Sequence, residues 1–415
     1  MKTKKLNSLL LSGLIVGPVL GSGIIILPPA IYEIAGSWSF LAWILMICVS
    51  FLFAYIFGFL SIKFPGDAGV SDAVKFTFGE EFKRLTSFYL IGAVCFGPVA
   101  VLITAGRYIS YINPNIDPFF AGFIILIFNL LILTREISFI GKAAFILSSI
   151  SAVTLFTGGI STLVYSRKEV MVLSEFDPSA FGYSLLLLFW TIVGWEIMGN
   201  YSRDVEKPEK TIKKAVIISA IVIAAVSIAV SASIQWLDPS IVGDKKLSVS
   251  LLLFTMFGSK GEYFMSFLVI ALCITTFLLF VGGVARLINS LSKDKIFPHF
   301  LSIRLKNGSP VAALLMLGLI HGIFLTSSYY GFYDVKSLIA LADGFFISNA
   351  LLGILAAYKL IENSILKLLT GVLAIFFVII LSFSSKTVLT VLFAMAVIVN
   401  RRRLPYIKGL LKNAT

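Results

Sequence analysis

The chain has 415 residues, of which 58% are hydrophobic and only 13% charged, and its mean hydropathy is +0.99. A water-soluble domain carries about a quarter charged residues, so an ordinary soluble enzyme or binding module is excluded and a bilayer is the expected solvent. The 34 Lys and Arg against 21 Asp and Glu give a net charge of +13, yet nucleic acid is not implied, because the basic residues lie between apolar blocks, where they orient helices.

Twelve apolar blocks bounded by charge, Pro, Gly or Asn follow in chain order. They are Leu6–Gly36, Trp38–Ile62, Leu85–Ile112, Phe119–Thr134, Ala143–Tyr165, Phe181–Asn200, Ala215–Trp236, Tyr263–Leu291, Val311–Ser328, Leu338–Leu360, Leu366–Phe383 and Val388–Val399. Turn residues support the divisions: Asn113-Pro114-Asn115 separates the third and fourth, and Asn307-Gly308-Ser309-Pro310 precedes the ninth. A shorter stretch, Leu247–Phe257, cannot cross a bilayer and is expected to be an interfacial helix. The fold class expected is therefore an all-α membrane protein of about 12 transmembrane helices.

Charge gives the expected topology. Met1–Lys5 ahead of an apolar run resembles a signal peptide, but the run continues to Pro28 and beyond, so the segment is read as the first span. With the N-terminus in the cytoplasm, 26 of the 34 Lys and Arg fall in cytoplasmic segments, a strong positive-inside bias that places both termini in the cytoplasm. Cys48, Cys95 and Cys273 sit in apolar stretches without metal-ligand spacing and read as free thiols, and His299 and His321 form no motif. No metal and no cofactor are expected.

Two spans break the rule that a membrane helix runs uninterrupted. The first contains Gly17-Pro18, Gly21-Ser22-Gly23 and Pro28-Pro29, a composition that unwinds a helix near Gly21–Gly23 or else packs helices closely. Unwound amides at the start of a half-helix form an anion site suited to a small carboxylate. In the sixth span, Phe189-Trp190-Thr191-Ile192-Val193-Gly194-Trp195-Glu196 precedes Gly199-Asn200 and a charged stretch. Glu196 at membrane depth must face a cavity, have a partner or be protonated, unless the helix ends early and leaves it at the interface. Trp190 is either a core aromatic or a lid over a ligand. Breaks five helices apart are the pattern of an inverted five-helix repeat with a midplane site. The chain then divides as one transmembrane domain: residues 1–166 and 180–360 as the two repeats, and 361–415 as the last two helices and tail.

These pieces resemble the amino acid-polyamine-organocation transporter superfamily. The resemblance is carried by Gly21-Ser22-Gly23-Ile24 with Pro28 following; by Phe189-Trp190, Gly194 and Glu196 with Lys207-Pro208-Glu209; by Ala285-Arg286-Leu287 running into Ser292–Pro298; and by Leu338–Phe345. The length and the basic tail Arg401-Arg402-Arg403 look most like the bacterial methionine and branched-chain amino-acid exporters. The resemblance implies that the substrate carboxylate rests on the amides of Ser22, Gly23 and Ile24. It implies that the ammonium rests on the carbonyls of Val19, Trp190 and Val193, with Gly21, Thr191 and Gly194 completing the two breaks. Trp190 would be the gate, and Glu196 matches an acidic position tied to proton-sensitive transport.

Sodium-coupled relatives place a Ser/Thr pair in the eighth span facing the first broken helix. The expected register puts Val281, Gly282 and Gly283 there, with Thr275 and Thr276 about two turns away, which argues against sodium. A proton-coupled relative uses a fifth-span lysine where this chain has Ser151. The expectation is a secondary transporter of neutral, apolar amino acids such as methionine or leucine, in the cell membrane, working by proton coupling or exchange, possible in the export direction. Glu196 and intramembrane Asp343 are its protonatable groups, although Asp343 equally suits the cap of a broken tenth helix. A polyamine or nucleobase permease is the alternative. A membrane-embedded enzyme or receptor lacks the catalytic constellation or the extra domain it would need. The expected partners are the amino acid, protons and lipid, with no nucleic acid.

Overall fold

The computed structural model describes residues 5–165, 173–238 and 248–399. Fifteen α-helices follow one another in this part of the chain: α1 Ser8–Leu20, α2 Gly23–Ala35, α3 Ser39–Lys63, α4 Val70–Phe78, α5 Glu80–Ile112, α6 Pro118–Leu133, α7 Ile137–Tyr165, α8 Pro178–Leu188, α9 Pro208–Gln235, α10 Ser250–Phe257, α11 Gly261–Lys293, α12 Val311–Tyr329, α13 Val335–Leu360, α14 Ser364–Ser382 and α15 Lys386–Val399. An isolated parallel β-bridge joins Leu6 and Val205.

Among the described residues eight helical runs are long and apolar enough to cross a membrane, and the first of them, Ser8–Lys63, holds two spans. The shorter apolar helices Pro118–Leu133 and Lys386–Val399, together with the interrupted sixth span, complete the twelve anticipated from hydropathy. The helix ends have ordinary causes. Asp117 caps α6 by accepting from the Phe119 and Phe120 amides at 2.9 and 3.0 Å, with Pro118 at the first helical position. Asp177-Pro178 repeats the device at α8.

Burial separates two classes of span. More than three-quarters of the most apolar stretch of α5 and of α11 is buried inside the protein, while for α14 the share is 22%. Helices α1, α5 and α11 are thus the protein-facing centre. The last two spans lie at the rim, where Leu368, Ile375 and Phe393 are exposed, as expected of side chains that face lipid.

Two details differ from the sequence reading. The link between the second and third spans holds a helix, α4, whose Ala73 and Val74 are buried; it is too short and too charged to register as an apolar block. The expected interfacial helix is present as α10, but Leu252 and Leu253 are fully buried, with Leu253 against Gly158 and Gly261, so it packs on α7 and α11. Leu247, where that helix was expected to start, and the Arg401-Arg402-Arg403 tail lie outside the described residues.

Candidate functional site

The first span is broken. Helix α1 ends at Leu20, Gly21 takes φ +44° and ψ −154°, and α2 starts at Gly23. Only glycine adopts that backbone without penalty, and a Cβ there would lie 2.5 Å from the Pro18 carbonyl oxygen. Ser22 makes no side-chain cap, so the amides opening α2 at Gly23 and Ile24 have the free N–H groups of any uncapped helix start. The last carbonyls of α1, Val19 among them, lose the helical donors that a continued span would give them.

The sixth span is broken more extensively. Helix α8 ends at Leu188, one 3-10 turn covers Phe189–Thr191, residues 192–196 form turns, and a 3-10 helix runs from Ile197 to Asp204. Gly194 has φ +128° and its amide donates to Glu196 Oε2 at 3.0 Å. The carboxylate therefore bends back into the break and satisfies a backbone group that the helix has released. Glu196 is fully buried inside the protein, and its Oε1 has no partner among the described residues. Thr191 spends its hydroxyl on the Leu188 carbonyl at 2.7 Å.

The two breaks meet. Trp190 Nε1 donates to Ser22 Oγ at 3.4 Å, a long contact. A Cβ built on Gly23 would lie 3.1 Å from both the Trp190 ring and the Thr191 methyl, and one on Gly194 would lie 3.1 Å from the Val19 side chain. Val19, Gly21, Ser22, Gly23, Ile24, Trp190, Thr191, Val193 and Gly194 are thus brought to one place in the core. Of the Trp190 alternatives, the structure gives a buried indole laid across the first break. Phe346 of α13 approaches it edge-on at 6.5 Å and Phe280 of α11 packs on Phe346 at 5.3 Å. Gly97 of α5 lies at the ring's outer edge, where a Cβ would be 3.4 Å from Trp190 Cη2.

Asp343 lies in an unbroken α13, so no tenth-helix cap exists for it to make. Its neighbour Ala342 faces Gly97, while Asp343 itself is buried with Oδ1 unpartnered among the described residues. Ser151 is likewise buried, and its Oγ has no partner among the described residues.

The eighth-span register is corrected. A Cβ on Gly17 would run into the Thr275 side chain, and one on Gly21 would lie 3.3 Å from Thr276 Oγ1. The hydroxyl pair therefore faces the first broken helix, and Gly282-Gly283 instead packs against Tyr201 and Ile197. Both hydroxyls donate to the Leu272 carbonyl, at 2.9 and 2.7 Å, which leaves their oxygens as acceptors toward the first span. The sequence estimate slipped because α11 runs unbroken for 33 residues with no internal landmark to fix its height.

One end of the bundle is stitched together by polar contacts. Leu6 exchanges backbone hydrogen bonds with the strand-like residues after the sixth span, donating to the Asp204 carbonyl and accepting from the Glu206 amide, both at 2.9 Å. Arg286 Nε donates to Asp204 at 2.7 Å while its guanidinium lies 4.4 Å above the Tyr201 ring, whose hydroxyl donates to the Leu278 and Leu279 carbonyls. Buried Asp67 accepts from Arg304 at 2.7 Å, and its carbonyl accepts from Asn200 at 2.9 Å. Sequence reasoning used Arg286 only as part of a resemblance. Gly97, Phe280, Phe346, Asp67 and Asp204 carried no sequence signal of a site, because glycines and phenylalanines are common throughout such a chain.

Paired broken helices inside a helical bundle define the chain as a multi-pass membrane protein with a transporter fold. It belongs to the amino acid permease family, whose model matches residues 6–410. It is 23% identical over 366 residues to an uncharacterized amino acid permease, YecA, of Bacillus subtilis, covering 84% of each chain. It is 22% identical over 423 residues to the L-methionine/branched-chain amino acid exporter YjeH of Escherichia coli, covering 95% of each, and 23% identical to the putrescine transporter PotE of Escherichia coli, covering 77% of this chain and 75% of that one. The solved structure of MhsT in complex with L-phenylalanine shares the fold, with a TM-score of 0.63 at 16% identity, covering 95% of this chain and all of that one.

Proposed function

We propose that this permease is a secondary active transporter of neutral, apolar amino acids that works by alternating access. The observation that carries the reading is the meeting of the two breaks under Trp190. Half-helix amides at Ser22, Gly23 and Ile24 offer N–H groups to a carboxylate, and the carbonyls of Val19, Trp190 and Val193 offer oxygens to an ammonium. Phe280 and Phe346 beside the indole supply an apolar wall for the side chain. Among the described residues no ion pair or cation–π contact involves residues 19–24 or 189–196, as suits a zwitterion held by backbone. A diamine has no carboxylate to place on the amides, so polyamine transport is the weaker reading.

The stitched end is the cytoplasmic one in this proposal, both termini are cytoplasmic, the membrane is the cell membrane, and residues 1–166 and 180–360 are the inverted repeats. Protons couple or exchange with substrate through Glu196, whose buried carboxylate has no cation paired with it among the described residues, with Asp343 a second protonatable group. A sodium-coupled cycle is the second reading of the driving ion, favoured by Thr275 and Thr276 facing the first break. Counterflow of labelled methionine, leucine and arginine in proteoliposomes, under a pH gradient or a sodium gradient, separates them. The proposal expects leucine and methionine transport that responds to the pH gradient and loses that response in Glu196→Gln. A response to sodium alone supports the second reading, and preferential arginine exchange overturns the apolar substrate.

A further inference from the structure

Helix α5 contains Pro98 in its interior. A proline there has no N–H for the carbonyl four residues earlier and its ring pushes that carbonyl aside, so Val94 loses its helical donor. Inside a bilayer no water replaces it. The replacement comes from another helix: His321 of α12, fully buried, places Nε2 at 2.7 Å from the Val94 oxygen. With a carbonyl as partner, Nε2 carries the proton and donates. Phe277 of α11 meets the imidazole edge-on at 5.4 Å and fixes its plane. Gly97, the residue before Pro98, lies against Trp190, with Ala342 of α13 on the same side.

We propose that His321 is a positioning residue for the substrate site: by supplying the hydrogen bond that Pro98 removes, it holds the proline-interrupted turn of α5 at the height that seats Gly97 against the edge of the Trp190 indole. The inference rests on the proposed substrate site where the two breaks meet at Trp190. A lone histidine without a motif reads as unremarkable in the sequence; its role emerges only when α12 is laid beside Pro98.

The pairing makes a specific prediction, because Pro98→Ala returns an N–H at position 98 and makes the histidine dispensable. Wild type, His321→Leu, His321→Gln, Pro98→Ala and the Pro98→Ala/His321→Leu double variant are compared in leucine counterflow and in thermal unfolding of the purified protein. His321→Leu raises the leucine KM by about tenfold, the loss expected for one buried acceptor left unpaired, at unchanged maximal rate per folded transporter. His321→Gln, which keeps a donor, stays closer to wild type. In the Pro98→Ala background His321→Leu changes neither KM nor the unfolding midpoint. The proposal is overturned if His321→Leu has the same effect in both backgrounds, or if it lowers the maximal rate and leaves KM unmoved. Should the wild type transport no amino acid, the functional reading fails by itself, and the unfolding midpoints decide the inference: a loss that persists in the Pro98→Ala background overturns it.

Discussion

Trp190 Nε1 and Ser22 Oγ lie 3.4 Å apart although 168 positions separate them in the chain. The contact ties the middle of the sixth span to the break of the first, so the indole reports on both half-helix ends at once. Trp190→Phe keeps an apolar cover but removes the donor, and its apparent leucine affinity is expected to fall by less than that of Trp190→Ala. Transport KM values for the two variants check the order; equal values would place the indole outside the site.

Gly21 is the backbone hinge of the first break. Its φ of +44° and the 2.5 Å approach of a Cβ to the Pro18 carbonyl make Gly21→Ala strained whatever space surrounds it. The expected cost is about 1–2 kcal/mol or more, read as a lower unfolding midpoint in detergent. Gly308→Ala also has positive φ, but nothing lies within 4 Å of its Cβ, so it separates backbone strain from crowding and should cost less.

Asp204 neutralises a guanidinium that is almost wholly removed from solvent. Asp204→Ala leaves Arg286 unpaired and is expected to cost about 3–5 kcal/mol, whereas removing both charges in Asp204→Ala/Arg286→Met costs less than the single change. Unfolding midpoints of the three variants give the comparison. A double variant less stable than Asp204→Ala would show that the cation–π contact with Tyr201 outweighs the ion pair.

Asp334 caps α13 by accepting from the Ser337 amide at 2.8 Å and from its hydroxyl. These bonds hold its carboxyl below the usual carboxylate range. A lowered folded-state pKa means that the cap contributes fully above the unfolded pKa of about 3.9 and is lost as pH falls through the folded value. Asp334→Asn keeps an acceptor and should remove this increment of acid sensitivity, while Asp334→Ala should cost about 1 kcal/mol at neutral pH. Midpoints measured from about pH 2 to about pH 5, the range in which that increment is lost, with a neutral reference, check both.

The span pattern was legible because hydropathy reports the solvent directly: apart from the broken first and sixth spans, each apolar block coincides with one helix to within a few residues except where an adjoining charged segment extends it, as at Glu80 ahead of the third span. The breaks were legible for a related reason, since Gly21–Gly23 and Gly194 are residues a continuous helix would not choose. Heights along unbroken helices were not. The register of Thr275 and Thr276 against Gly17 and Gly21 depends on how α11 slides past α1, and periodicity carries no information about sliding. The same limit hid the pairing of His321 with Val94 and of Phe346 with Trp190, each of which joins helices far apart in the chain.

Equilibrium binding of labelled leucine to the purified protein, compared between wild type and Trp190→Ala, tests the paired-break site most directly. The account predicts saturable binding displaced by methionine and not by putrescine, with affinity reduced by about tenfold or more in Trp190→Ala, as expected when a buried aromatic contact is lost. Absence of saturable leucine and methionine binding in the wild type, or unchanged affinity in a folded Trp190→Ala protein, would contradict it.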